Sequence, residues 1–166
     1  MTAATGGGSA VVSFPTETQI LITREFSAPR HLVYKAWTTP ELVKRWWNAK
    51  RGTVTVAEID LRVGGKWRYV MIAARGFEVA FHGEFREIVP NERIVSTEIY
   101  EGVPPGTPND GTLNTATFRE AGDRTTLTIL VQAPNRQVRD MIIQSGMEAG
   151  MQDALDLLEQ VATSIR

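Results

Sequence analysis

The sequence predicts an α+β fold, in which the apolar face of one curved antiparallel sheet rests against a single long C-terminal helix. Three observations predict it. Residues 53–133 alternate with period two, with turn chemistry between the runs. A one-sided helical stripe then closes the chain: Met147, Gly150, Met151, Ala154, Leu158, Val161 and Ile165 fall within ~100° of one another. A chain of 166 residues and 18.4 kDa buries roughly 70 % of its unfolded surface, enough for one core.

Each element follows from its residues. Residues 1–16 show no period and carry Gly6, Gly7 and Gly8 together, which reads as a flexible, disordered tail. A single domain is expected over 17–166. Ile20, Ile22, Arg24 and Phe26 alternate with Gln19, Leu21, Thr23 and Glu25, giving a first strand. Two short helices come next. Ser27 is placed to cap the first and Pro29 suits its first turn; Thr39, Pro40 and Glu41 open the second. Trp46 and Trp47 end that stretch as neighbours about 100° apart on a helix, so one can enter the core while the other reaches a rim.

Further along, Trp67, Tyr69 and Met71 share one strand face, and Phe77, Val79, Phe81, Gly83 and Phe85 share another. Val95, Thr97 and Ile99 follow, then Ala116 and Phe118, then Leu127, Ile129 and Val131. Gly64-Gly65 suits a hairpin, and Gly83 marks either a bend in the sheet or room for a close approach. The Pro- and Gly-rich stretch 101–111 reads as a projecting loop able to cover a cavity mouth. A short helical stretch is expected from Arg136. Ser145 and Glu148 have capping-box spacing, so the long helix should start near Gly146, with Asp153, Asp156, Glu159 and Gln160 on its far side.

Composition excludes several function classes. Zero cysteines remove thiol catalysis, disulfides and Cys-type metal centres. Eighteen Lys+Arg against nineteen Asp+Glu give a net charge of −1, which argues against nucleic acid as partner. The two histidines, His31 and His82, lack ligand spacing, so no metal, cofactor or catalytic residue is expected. No apolar run approaches the ~20 residues of a membrane span, and no basic start precedes one, so a cytoplasmic protein is expected.

Four segments together carry a resemblance: AWTTPELVKRWW, EIDLRVGGKWRYVM, GEFREIVPNERIVSTE and SGMEAGMQDALDLLEQV. In this order they resemble the Hsp90-ATPase-activator-like family of the START/Bet v 1-like (SRPBCC) superfamily. The resemblance implies the helix-grip fold, a seven-stranded sheet gripping a C-terminal helix around a deep apolar cavity. Eukaryotic activators carry a separate N-terminal domain for contacting the chaperone, where this chain has sixteen residues. The expectation is therefore a carrier or sensor for a small apolar, aromatic or lipid-like molecule, as monomer or homodimer. A cyclase- or hydrolase-like enzyme using the same cavity is one alternative, and a co-chaperone-like protein-interaction domain, with an exposed patch at Trp46, is another. The candidate wall is Trp47, Trp67, Tyr69, Met71, Phe81, Phe85, Thr97, Phe118, Met147 and Met151, with the Tyr69 hydroxyl as polar anchor.

Overall fold

The computed structural model describes residues 9–104 and 110–165. Gly6 to Gly8 and positions 105–109 of the projecting loop lie outside the described residues.

The chain opens with β1 (Val11–Ser13) and β2 (Gln19–Phe26), followed by α1 (Arg30–Thr38) and α2 (Pro40–Trp46). Six strands follow: β3 (Gly52–Ile59), β4 (Lys66–Ala73), β5 (Glu78–Val89), β6 (Arg93–Tyr100), β7 (Thr112–Ala121) and β8 (Arg124–Gln132). The helices α3 (Arg136–Gln144) and α4 (Met147–Ser164) end the chain. All strand pairs are antiparallel, in the order β1-β2-β8-β7-β6-β5-β4-β3.

The sheet thus has eight strands where seven were expected. The extra strand lies in the segment read as a disordered tail. Val11–Ser13 pair with Thr23–Leu21 on the free edge of β2, and the Gln152 side chain on α4 holds the strand from the other side. Its Oε1 accepts from the Ala10 amide at 2.9 Å and its Nε2 donates to the Ala10 carbonyl at 2.7 Å. The strand is only three residues long and its side-chain tie, Gln152, is 142 residues away, so no local pattern announces it.

Helix ends differ from expectation in a consistent way. Neither Ser27 nor Thr39 caps; Pro29 and Thr39 are extended residues ahead of their helices, and the Thr39 hydroxyl donates back to Lys35. Ser145 closes α3, donating its hydroxyl to the Ile142 carbonyl, and Gly146 turns the chain at φ 83° before α4 begins. The left-handed turn takes up the residue that the capping box needs. Asn135 supplies a cap the sequence reading overlooked, accepting from the Val138 amide at 2.9 Å.

Packing is tight at one end of the grip. Ile20, Ile22, Phe26, Phe118 and Leu127 from the sheet meet Leu155, Leu158, Val161 and Ala162 of α4, all fully or nearly fully buried. Trp46 is buried here, stacked on Trp37 at 5.1 Å and donating its indole N–H to the Ala36 carbonyl. It forms no exposed patch. Asp156 and Glu159 also depart from the far side of α4: both reach Arg24 on the inner face of β2.

Candidate functional site

The other end of the grip is looser. Met147, Met151 and Ala154 on the first turns of α4 are only half-buried, as are Ala57, Ile59, Tyr69, Val79 and Phe81 on the strands they approach. α3 has no buried residue. Gly150 was expected to let helix and sheet approach closely, but a Cβ there would meet only the Arg51 side chain, at 3.7 Å. Half-buried inward side chains are thus shared between β3–β6 and the N-terminal half of α4.

Aromatic rings cluster on this part of the sheet. Trp47 lies just beyond α2, its ring 5.3 Å from Tyr69 and 5.8 Å from Phe81. Trp67 lies 4.8 Å from Tyr69, and Phe81 lies 5.1 Å from Tyr100. The neighbouring tryptophans therefore separate, Trp46 into the core and Trp47, half-buried, against Tyr69 and Phe81. Met71 sits one row further along the strands and lines an open groove of about 330 Å³ with Arg51, Ala73, Ala74, Arg75, Phe77 and Val79. A second open groove, of about 240 Å³, runs from Thr97 and Asp110 to Pro134 at the strand ends.

Ring contacts bring Trp47, Trp67, Tyr69 and Phe81 together, Met71 follows Tyr69 along β4, and Met147 and Met151 are half-buried on α4. Phe118 is elsewhere, 1 % exposed and edge-on to Tyr34 and Trp37 in the closed core. Phe85 is buried beside the Gly64-Gly65 turn, exchanging backbone hydrogen bonds with both glycines. Thr97 faces outward. It pairs with Leu113, which is 41 % exposed, and its hydroxyl accepts from the Glu84 amide at 2.9 Å. β-Branched Val95, Thr97 and Ile99 fit a half-buried outer face as well as an inner one, so residue type misassigns the parity.

The inner residues of β6 are Ile94, Ser96, Glu98 and Tyr100: Phe85 pairs with Ser96 and Phe81 with Tyr100. Glu98 pairs with Thr112 on β7, while Trp67 pairs with Gly83 on β5. A Cβ at Gly83 would meet the Thr97 carbonyl at 1.8 Å and the Trp67 indole nitrogen at 2.5 Å. The missing side chain is thus room for a close approach, letting the Trp67 N–H donate to the Thr97 carbonyl at 3.1 Å. The irregularity in β5 falls further on, between Phe85 and Glu87.

Glu98 is the inward ionisable group that sequence reading missed. Asn114 donates its Nδ2 to Glu98 Oε1 at 2.9 Å, and the Thr112 hydroxyl donates to Asn114 Oδ1 at 2.9 Å, which fixes the amide's orientation. Burial pushes the Glu98 carboxyl above the usual carboxylate range, and the Asn114 hydrogen bond only partly opposes it. Glu98 nonetheless keeps some accessible surface. Crowding by protein together with contact with water places it in a recess. Burial likewise pushes the Tyr69 phenol up, and the nearby Glu98 charge adds to it.

His82 and Glu101 lie on the outer face, where Glu101 accepts two hydrogen bonds from Arg68 and one contact from His82. Among the described residues no cluster of His, Asp and Glu could hold a metal ion. No described helix is long and apolar enough to cross a membrane.

A curved antiparallel sheet packed with a long C-terminal helix defines a START/Bet v 1-like helix-grip domain. Residues 27–163 match the profile of the Activator of Hsp90 ATPase homolog 1-like protein family, and the chain belongs to that family. Among solved structures, a Rhodobacter sphaeroides protein superposes with a TM-score of 0.85 at 22 % identity, covering 95 % of this chain and 99 % of that one. Protein Ms6760 from Mycobacterium smegmatis gives 0.83 at 20 %, covering 96 % and 100 %. A Chromobacterium violaceum protein gives 0.71 at 28 %, covering 86 % and 96 %. No curated protein matches the chain.

Proposed function

We propose that the chain binds a small, largely apolar molecule in the cleft between β3–β6 and the first turns of α4, as a carrier or sensor. The observation that supports this is the gradient along the grip. α4 is buried from Leu155 onward, whereas Met147 and Met151 stand half-covered, as do Trp47, Tyr69 and Phe81 on the inner side of the sheet. Aromatic and methionine walls adapt to an apolar occupant, and covering them removes surface that water otherwise wets.

N-phenyl-1-naphthylamine, an uncharged fluorophore at neutral pH, tests the cleft directly. Saturable enhancement is expected, with emission quenched or shifted for the two tryptophans on the wall. Met151→Trp fills the space from the helix side and should weaken binding at least tenfold with little change in melting temperature. Absence of saturable binding, or binding indifferent to Met151→Trp, would overturn the proposal. Native mass spectrometry of protein from its own host identifies any occupant that co-purifies.

A further inference from the structure

The cleft is apolar on its walls and acidic at its floor. Glu98 takes one hydrogen bond, from Asn114, and no lysine or arginine forms an ion pair with it among the described residues. A carboxylate offers about four acceptor sites, so most of the capacity of this one faces the recess. Several other acids are ion-paired. Arg68 and His82 hold Glu101, Lys66 and Arg86 hold Glu84, Arg93 holds Glu87, and Arg24 holds Asp156 and Glu159. Glu98 is the inward-facing exception.

Its surroundings are as selective as its charge. The register places it in one row with Trp67, Gly83 and Thr112, and the adjacent row contains Tyr69, Phe81 and Tyr100. Among the described residues the Tyr69 hydroxyl and the Ser96 hydroxyl have no hydrogen-bond partner, and both belong to the inner face. Aromatic faces attract cations through their quadrupole, and an unbalanced carboxylate in a poorly hydrated recess attracts them more strongly still. An anionic ligand would meet the Glu98 charge unopposed. A neutral hydrocarbon would leave its oxygens unpaired.

We propose that the cleft selects an organic cation: a protonated amine, carried on an aromatic or aliphatic body, that sets its N–H donors on Glu98 while its body lies along Trp47, Tyr69 and Phe81. This inference rests on the cleft-binding reading above and adds the chemistry of the headgroup. Glu98 accepts from the ammonium, and the Tyr69 and Ser96 hydroxyls complete its hydrogen bonding. Asn114, locked by Thr112, keeps the carboxylate aimed into the recess.

Three probes of one shape and different charge make the test: 1-naphthylmethylamine (a cation at pH 7.5), 1-naphthylmethanol and 1-naphthoate. Their affinities for the wild-type protein are measured by calorimetry at fixed ionic strength. The amine should bind about tenfold or more tightly than the alcohol, the scale of one charge-assisted hydrogen bond, and the carboxylate most weakly. In Glu98→Gln the amine's advantage should fall to within about twofold while the alcohol is retained. If the alcohol binds wild type as well as the amine does, the headgroup inference is overturned and the cleft reading stands. If none of the three binds, both fall. The wild-type ranking decides without the variant should Glu98→Gln fold poorly.

Discussion

Arg24 offers the most direct test of how the closed end of the grip is held. It is 3 % exposed on the inner face of β2, where its Nη2 donates to Glu159 Oε1 at 2.8 Å and its Nη1 donates to Asp156. Glu159, 8 % exposed, also accepts from the Ser27 amide at 2.7 Å, so one carboxylate ties α4 both to β2 and to the entry of α1. The guanidinium additionally lies over the Phe26 ring at 5.1 Å. Arg24→Met keeps the apolar stem but strands the Glu159 charge. The Asp156 side chain is 48 % exposed and returns to water at little cost. The penalty is therefore mostly that of Glu159, and because the Ser27 amide still serves it, it should fall near the low end for a broken buried pair, about 3 kcal/mol. For a chain of this length that lowers the melting temperature by about 6–12 °C. Thermal and urea unfolding followed by circular dichroism measure it. Arg24→Met/Glu159→Gln removes the stranded charge but keeps an acceptor for Ser27, and should recover to within about 1 kcal/mol of wild type. A loss below about 1 kcal/mol in the single variant, or no recovery in the double, would refute this reasoning.

Other expectations are equally concrete. Gly83→Ala should displace the Trp67 indole and part β5 from β6, costing about 2 kcal/mol and red-shifting tryptophan emission; unchanged emission and stability would contradict the close approach. Hydrogen bonds from Arg68, with further help from His82, hold the Glu101 carboxyl at about 2, against 4.5 for an unperturbed glutamate. Its folded value is depressed, so its contribution is complete above about 4.5 and disappears as pH falls towards about 2. Glu101→Gln should flatten the acid limb of a pH–stability curve in that window, and an unaltered limb would dismiss the pair. Gln152→Ala should release β1, erasing amide protection at Val11–Ser13 for about 1 kcal/mol of overall stability; protection that persists would mean the edge of β2 suffices alone.

What the sequence made legible was local and periodic. The α4 stripe, the Trp67–Tyr69–Met71 face and the row of Phe81 and Phe85 each follow from spacing within one element, and the structure keeps them. Features that depend on two distant segments stayed hidden. β1 exists because the edge of β2 and the Gln152 amide await it, and Val11–Ser13 is too short to show alternation. Arg24 reads as the one polar residue on an apolar face until Glu159 is placed opposite it. On β6 the two alternating sets, Val95/Thr97/Ile99 and Ile94/Ser96/Glu98, differ in the wrong sense for residue type to choose between them. Only pairing with Phe81 and Phe85 across the sheet decides it, and that choice turns Thr97 outward and Glu98 inward.

The two ends of the grip divide the work that one continuous core does in a solid domain. Phe118, Trp46, Leu155 and Leu158 are buried with Trp37 stacked against them, and the Arg24–Glu159 pair ties that end, so stability is concentrated there. The first turns of α4 follow a left-handed glycine and an α3 with no buried residue, and they contribute little cover. A uniformly packed helix would close over Glu98, and an uncompensated carboxylate would then be costly to keep. On the proposed reading, an open end makes the same carboxylate tolerable, since water serves it when no ligand is bound. It also leaves the charge available to an occupant with donors of its own. The incomplete packing at Met147 and Met151 and the unpaired acid at Glu98 are thus one feature, and each makes the other physically acceptable.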